Sequence, residues 1–307
     1  MSKVIRIGTR DSELALWQAH TVQKKLNDLG YKTEIVAVKS TGDIILDKPL
    51  YELGITGIFT KTLDVAMLAG QVDIAVHSMK DVPTALPQGI VQAAVLERAN
   101  TLDILVHKGS TSFLEAEGTI ATGSLRRTAQ WLNKYPQHKV VDLRGNVNTR
   151  MQKLNDSDWN GAIFAAAGLE RINIKPDTFT NLDWMIPAPA QGAMVVVAME
   201  DDHYTLDALA QLNHIETEIT TAIERQFLRT LEGGCTAPIG AIAKYNEHDD
   251  TLSFTGCLCS LDGSQKFEVH KQVPIEEWKK LGFHCAKEIL ENGGAELMAQ
   301  LKDQLKK

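Results

Sequence analysis

Along the first two thirds of the chain, short apolar runs alternate with longer stretches in which apolar residues recur every third or fourth position. "KVIRIGT" reads as a strand and "SELALWQAHTVQKKLNDLG" as an amphipathic helix that stops at Gly30, with "KTEIVAV" and "QVDIAVHS" as the next strands. That order predicts βαβ units on a mostly parallel sheet. The intervening "STGDIILDKPLYELGITGIFTKTL" has glycines, a proline and weak periodicity, and reads as a loop leading into a helix around Lys61 to Ala69. In the middle third, "TIATGSLRRTAQWLNKY", "KVVDLRGNVNTRMQKLN" and "GAIFAAAGLERI" each run strand, turn, helix, and the apolar "AMVVVAME" after "PAPAQG" is predicted to re-enter an earlier sheet. The last third opens with the helix "TEITTAIERQFLRTLE" and continues in alternating segments, "IGAIAKY" and "TLSFTGCLCSL", which imply a smaller α+β unit.

Composition narrows this picture. A chain of 307 residues is long for one core, so two or three domains of about 100 to 150 residues are expected. With 44% hydrophobic and 23% charged residues the chain is globular, not disordered. The start "MSKVIRIGTRDSEL" has no apolar signal core, and no run reaches the roughly 18 apolar residues of a membrane span, so a cytoplasmic protein without membrane association is expected. Four cysteines, two of them in "GCLCS", form neither a disulfide framework nor a paired metal motif. Reduced thiols and no metal are the expectation. The net charge of -7 disfavours nonspecific attraction to nucleic acid, so any anion site must be built locally.

Ligands of open α/β sheets bind beyond the carboxyl ends of the strands, and polar clusters fall there. Arg10 and Ser12 follow the first strand; His77, Ser78, Lys80 and Asp81 follow "VDIAV"; Ser124, Arg126 and Arg127 follow "TIAT"; Arg144, Asn146 and Arg150 follow "VVDL"; Arg171 follows "AAAGLE". Six of the ten arginines thus gather at predicted strand ends. A guanidinium is a planar fork matched to carboxylates, and helix starts beside Ser124 and Asn146 would add N–H donors, so a ligand with several carboxylates suits the array. Structural salt bridges are the alternative for each arginine taken alone. Asp81 is a carboxylate in a cationic neighbourhood, able to move protons at a substrate nitrogen, or else a turn residue before "VPT". His77 reads as a satisfied strand-end residue, since no second ligand lies at metal spacing. Cys235, after Gly233 and Gly234 in "LEGGCTAPIGA", is an accessible thiol, whereas Cys257, Cys259 and Cys285 sit on apolar segments and read as inert.

These clusters together resemble the porphobilinogen deaminase (hydroxymethylbilane synthase) family. The matching segments are "IRIGTRDSELALWQA", "DIAVHSMKDVPT", "SLRR", "LRGNVNTR", "AAAGLERI", "PAPAQGA" and "ERQFLRTLEGGCTAPIGA", in family order over about residues 5 to 241. The resemblance implies an α/β fold. Two domains similar to type II periplasmic binding proteins, with mixed, mostly parallel sheets, precede a smaller C-terminal α+β domain. Its boundaries would be 1–96 with 196–214, then 100–192, then 217–307. It also implies a transferase of tetrapyrrole (haem) biosynthesis that joins four porphobilinogen molecules with loss of ammonia on a dipyrromethane primer and releases a linear tetrapyrrole by hydrolysis. By the resemblance, Cys235 holds the dipyrromethane cofactor through a thioether and Asp81 is catalytic. Lys80, Asp81, Ser124, Arg126, Arg127 and Arg144 bind the cofactor, while Arg10, Ser12, Ser78, Arg144, Arg150 and Arg171 bind substrate. A monomer whose partner is porphobilinogen is implied.

Two departures stand out. In "GITGIFTK", Thr56 occupies a position that is lysine in many members, which removes a cation from any cover that loop provides; in "ATGSLRR", Gly123 replaces a common serine, a change expected to be tolerated. Two rival functions weigh less. A noncatalytic solute clamp would require export and leaves Cys235 unexplained, and an RNA-binding protein is opposed by net charge and by missing aromatic platforms.

Overall fold

The computed structural model describes residues 3–38, 60–231 and 237–305. In chain order the elements are β1 (Val4–Arg10), α1 (Glu13–Asp28), β2 (Lys32–Val38), α2 (Lys61–Leu68), β3 (Ile74–Ser78), β4 (Ile90–Val95), β5 (Asp103–His107), β6 (Thr119–Ala121), α3 (Leu125–Lys134), β7 (Lys139–Val141), α4 (Val147–Asp156), β8 (Gly161–Ala165), α5 (Ala166–Arg171) and β9 (Phe179–Asn181). They continue with β10 (Met194–Met199), α6 (His203–Ala210), α7 (Ile215–Thr230), β11 (Ile239–Asn246), β12 (Thr251–Cys259), β13 (Lys266–Pro274), α8 (Trp278–Ile289) and α9 (Ala295–Leu305). The described residues form two compact units, 3–38 with 60–99 and 192–218, and 100–191 with 219–231 and 237–305.

The first unit carries a five-stranded sheet in the order β2-β1-β3-β10-β4. β1 pairs in parallel with β2 and β3, while β10 runs antiparallel to both of its neighbours. β10 is the "AMVVVAME" strand. It is apolar because it is central and covered on both faces, with Val196 and Ala198 wholly buried. α1 lies on one face because its apolar stripe, Ala15, Ala19, Val22 and Leu26, repeats at helical spacing. Gly30, at φ +88, turns the chain back into β2 as the pattern predicts.

The second unit repeats the arrangement as β7-β6-β8-β5-β9, with β6 parallel to β7 and β8, and β5 antiparallel to β8 and β9. Each five-stranded sheet is mixed, four strands running one way and one returning. The same unit holds an antiparallel meander, β11-β12-β13, packed on α7, α8 and α9 around Phe227, Phe254 and Leu258. Residues 100–191, 219–231 and 237–305 therefore lie in one compact unit. Ala129 of α3, Ile186, Cys257 and Cys259 share a small core between the two sheets, and Asn133 Nδ2 donates to Gly263 O at 2.8 Å. Cys257, Cys259 and Cys285 are buried free thiols. Burial pushes Cys285 up to about 12. Among the described residues no helix is long and apolar enough to cross a membrane.

Candidate active site

In the first unit, two strand ends and one helix start bound a cavity. β1 ends at Arg10, and Ser12 caps α1 by accepting the Ala15 N–H at 3.4 Å. β3 ends at Ser78 and passes into a single 3₁₀ turn, Met79–Asp81, anchored by the buried Met79 side chain and by Met79 N–H donating to Ala193 O at 3.0 Å. Arg10, Ser12, Gln18, His77, Ser78 and Asp81 line the resulting space of about 70 Å³, with Leu14, Ala15 and Val76 as its apolar wall. Lys80 and Asp81 are half-buried.

Two residues of this cavity have properties the sequence does not announce. Gln18 occupies a core-facing position of α1, 2% exposed, where its amide donates to Ser78 Oγ at 2.8 Å. A polar residue inside an apolar helical stripe was the available signal. His77 is 6% exposed, and its Nε2 has no hydrogen-bond partner among the described residues. The expectation of a satisfied strand-end histidine therefore does not hold. Burial, with the nearby Arg10 charge added, holds the imidazole down to about 4, so the ring is neutral at ordinary pH.

In the second unit Arg126 and Arg127 occupy the first turn of α3 and Arg150 that of α4, with Arg144 just before the α4 cap. Ser124 caps α3, with Arg127 N–H 3.5 Å from its Oγ; Asn146 caps α4, accepting Thr149 N–H at 2.9 Å. The two turns lie side by side because Gly123 has no side chain: a Cβ there would sit 2.7 Å from Leu143 O. Gly123 thus fits a close backbone approach. Gly145 adopts φ +115 before the α4 cap, and Arg150 Nε and Lys153 Nζ donate to Gly145 O and Arg144 O at 2.8 and 3.1 Å.

Arg126 and Arg127 are nearly buried, at 4% and 6% exposed, and both meet Asp103 at the head of β5. Arg127 donates Nε and Nη2 to Asp103 Oδ1 at 3.0 and 2.7 Å and Nη1 to Ile163 O at 2.9 Å. Arg126 Nη1 lies 2.7 Å from Asp103 Oδ2 and donates to Ile186 O at 2.8 Å, while its buried Nε has no hydrogen-bond partner among the described residues. Two guanidiniums thus meet one carboxylate at a helix N-terminus, where the backbone dipole favours an anion. Arg144 is buried, and desolvation lowers its guanidinium, with Asp142 acting against that shift. Arg171 ends α5, and burial brings it down to about 10. Asp103 escaped the sequence reading because one acidic residue before "ILVH" looks like a strand boundary.

Arg10, Ser12, Ser78 and Asp81 therefore share one cavity; Arg126 and Arg127 share one carboxylate; and Arg144 and Arg150 share the α4 turn. Cys235 and the Thr56 loop lie outside the described residues.

An α/β protein with a carboxyl-bearing cavity at its strand ends and a buried arginine pair at a helix start is the class these features define. The porphobilinogen deaminase dipyromethane cofactor binding domain model matches residues 5–207, and the porphobilinogen deaminase C-terminal domain model matches 219–291. The chain belongs to the porphobilinogen deaminase family. It is 42% identical to the chloroplastic porphobilinogen deaminase of Oryza sativa subsp. japonica, over 97% of this chain and 84% of that protein. It is 38% identical to the porphobilinogen deaminase of Chlorobium phaeobacteroides (strain BS1), over 98% and 99%. Two solved structures are similar at low identity. They are the BvgS periplasmic VFT2 domain of Bordetella pertussis (TM-score 0.42, 13% identity, 68% of this chain and 86% of that chain) and an ABC transporter periplasmic substrate-binding protein from Coxiella burnetii (TM-score 0.41, 16% identity, 72% and 96%).

Proposed function

We propose that the chain condenses four porphobilinogen molecules head to tail, with loss of ammonia, on a dipyrromethane primer held by Cys235, and releases hydroxymethylbilane by hydrolysis. The observation that carries this reading is the shared cavity of Asp81 with Arg10, Ser12 and Ser78. A carboxyl and a guanidinium bounding one space fit a substrate that presents both an amine and carboxylates.

Each residue then has a task. Arg10, Ser12 and Ser78 hold the substrate's acid side chains, and Arg171 and Arg150 serve the growing product. The α3 pair, with an Arg126 Nε that has no hydrogen-bond partner among the described residues, fits a group that carries carboxylates. Lys80, Asp81, Ser124, Arg126, Arg127 and Arg144 would hold that cofactor. When bound, dipyrromethane supplies a fixed two-ring primer to which new rings are joined. Asp81 gives a proton to the departing amine as the carbon–nitrogen bond breaks. Its carboxylate then faces the cationic pyrrole and takes up the ring proton displaced at coupling. His77, neutral at working pH, adds no competing charge to that cavity.

The three-domain division given by the sequence, 1–96 with 196–214, 100–192 and 217–307, is part of this reading. So is a monomer in the cytoplasm with porphobilinogen as its partner and neither nucleic acid nor membrane bound; the net charge of -7 disfavours nonspecific attraction to nucleic acid. Asp81→Asn is the test. The variant keeps fold and adduct mass while turnover falls by about 10²-fold or more; turnover within a few-fold of the unaltered protein removes the catalytic role of Asp81.

A further inference from the structure

Beneath the start of α3, the arginine pair is tied into a wider set of buried hydrogen bonds. Asp103 is wholly buried, and its Oδ1 accepts from Gln191 Nε2 at 3.0 Å as well as from Arg127. The same Gln191 amide donates to Thr101 O at 2.8 Å, so segments 101–103 and 187–191 are clasped together by one side chain. One residue earlier, Ala190 adopts φ +64, a left-handed conformation that a residue with a Cβ seldom holds without outside support. Its support is a buried carboxylate: Ala190 N–H donates to Glu224 Oε2 at 2.6 Å, and Glu224 Oε1 accepts Ala243 N–H at 2.8 Å. Ala241 N–H donates to Pro187 O at 2.9 Å. The "PAPAQG" motif is therefore fixed at both ends, by β11 and α7 on one side and by Asp103 on the other.

A single carboxylate between two guanidiniums neutralises charge but does not by itself set the plane of either. Donors converging on Oδ1 from Arg127 and Gln191 fix the orientation of the Asp103 carboxylate, and that orientation sets the Arg127 fork and places Oδ2 2.7 Å from Arg126 Nη1. Recognition of a carboxylate by a planar fork is directional, and a misplacement of about 0.5 Å or 10–20° weakens it.

We propose that Asp103 and Gln191 are positioning residues for the reaction, acting through Arg126 and Arg127 by presetting the plane and depth of both guanidiniums for ligand carboxylates. This rests on the reading above that the arginine pair binds such carboxylates. A purely structural network would influence melting and leave the kinetics of the folded protein unchanged.

The experiment uses the full chain with Gln191→Met, Asp103→Asn and Arg126→Leu, each measured for adduct fraction by intact mass, for kcat and KM with porphobilinogen, and for melting. Gln191→Met keeps every charge and the side-chain volume. It is expected to raise KM about tenfold, with kcat nearly unchanged, and to lower the adduct fraction. Asp103→Asn moves the same quantities further. A folded Gln191→Met protein with unaltered KM and full adduct, changed only in melting, overturns the proposal; if Asp103→Asn does not fold, Gln191→Met alone decides. Unaltered KM and adduct in Arg126→Leu would instead overturn the carboxylate-binding reading beneath it.

Discussion

A buried polar residue is informative in proportion to how poorly its surroundings suit it, and His77 illustrates this. Its ring is held neutral to about 4 by desolvation and by Arg10, against an ordinary value near 6.5. The unfolded chain therefore binds a proton that the folded chain refuses between about pH 6.5 and about pH 4. Stability is complete above that window and is lost as pH falls through it, by about 3 kcal/mol at the lower end. Urea melts at pH 7 and pH 4.5 are expected to show this loss, and His77→Gln, which does not titrate, to lack that part of it; equal losses in both proteins would remove His77 as the cause. The sequence made the candidate residues visible at strand ends, but it showed neither burial nor partners. The carboxylate that Arg126 and Arg127 share lies on β5, more than twenty positions earlier in the chain, and no local pattern joins them.

Elements with strong periodicity were legible, and those with little burial were not. α1, α7 and β10 match their patterns because each buries a continuous apolar stripe or face. β13 buries only Val269 among nine residues, and β9 is three residues long, so neither carries a readable alternation. α3 was legible as a helix but not in its orientation: its buried face includes Arg126, Arg127 and Gln130, side chains that a hydrophobic pattern assigns to solvent. Where α7 and α8 pack, the contact depends on Gly282. A Cβ at that position would lie 2.2 Å from Ile223 O and 3.0 Å from Phe227 N, and backbone cannot yield as a side chain tip does. Gly282→Ala is expected to destabilise the protein by about 1–3 kcal/mol without altering KM. A melting temperature equal to that of the unaltered protein would show that the two helices separate at little cost.

At the scale of the whole molecule, the two five-stranded sheets share one strand order although the sequence has no detectable internal repeat. In each, the antiparallel strand follows directly where the chain passes from one unit to the other, β5 after residue 100 and β10 after residue 192. That return of β10 was foreshadowed by its unbroken apolar run, whereas strand order is a tertiary property with no local signature. Family membership, seen in ordered short motifs, is carried by matches to residues 5–207 and 219–291. The central claim is that this scaffold of cationic turns serves a primer fixed to one sulfur. The intact mass of active protein tests it most directly. The account predicts a mass above that of the polypeptide by two linked pyrrole units, with both the increment and turnover lost in Cys235→Ser; a fully active preparation at the polypeptide mass alone would contradict it.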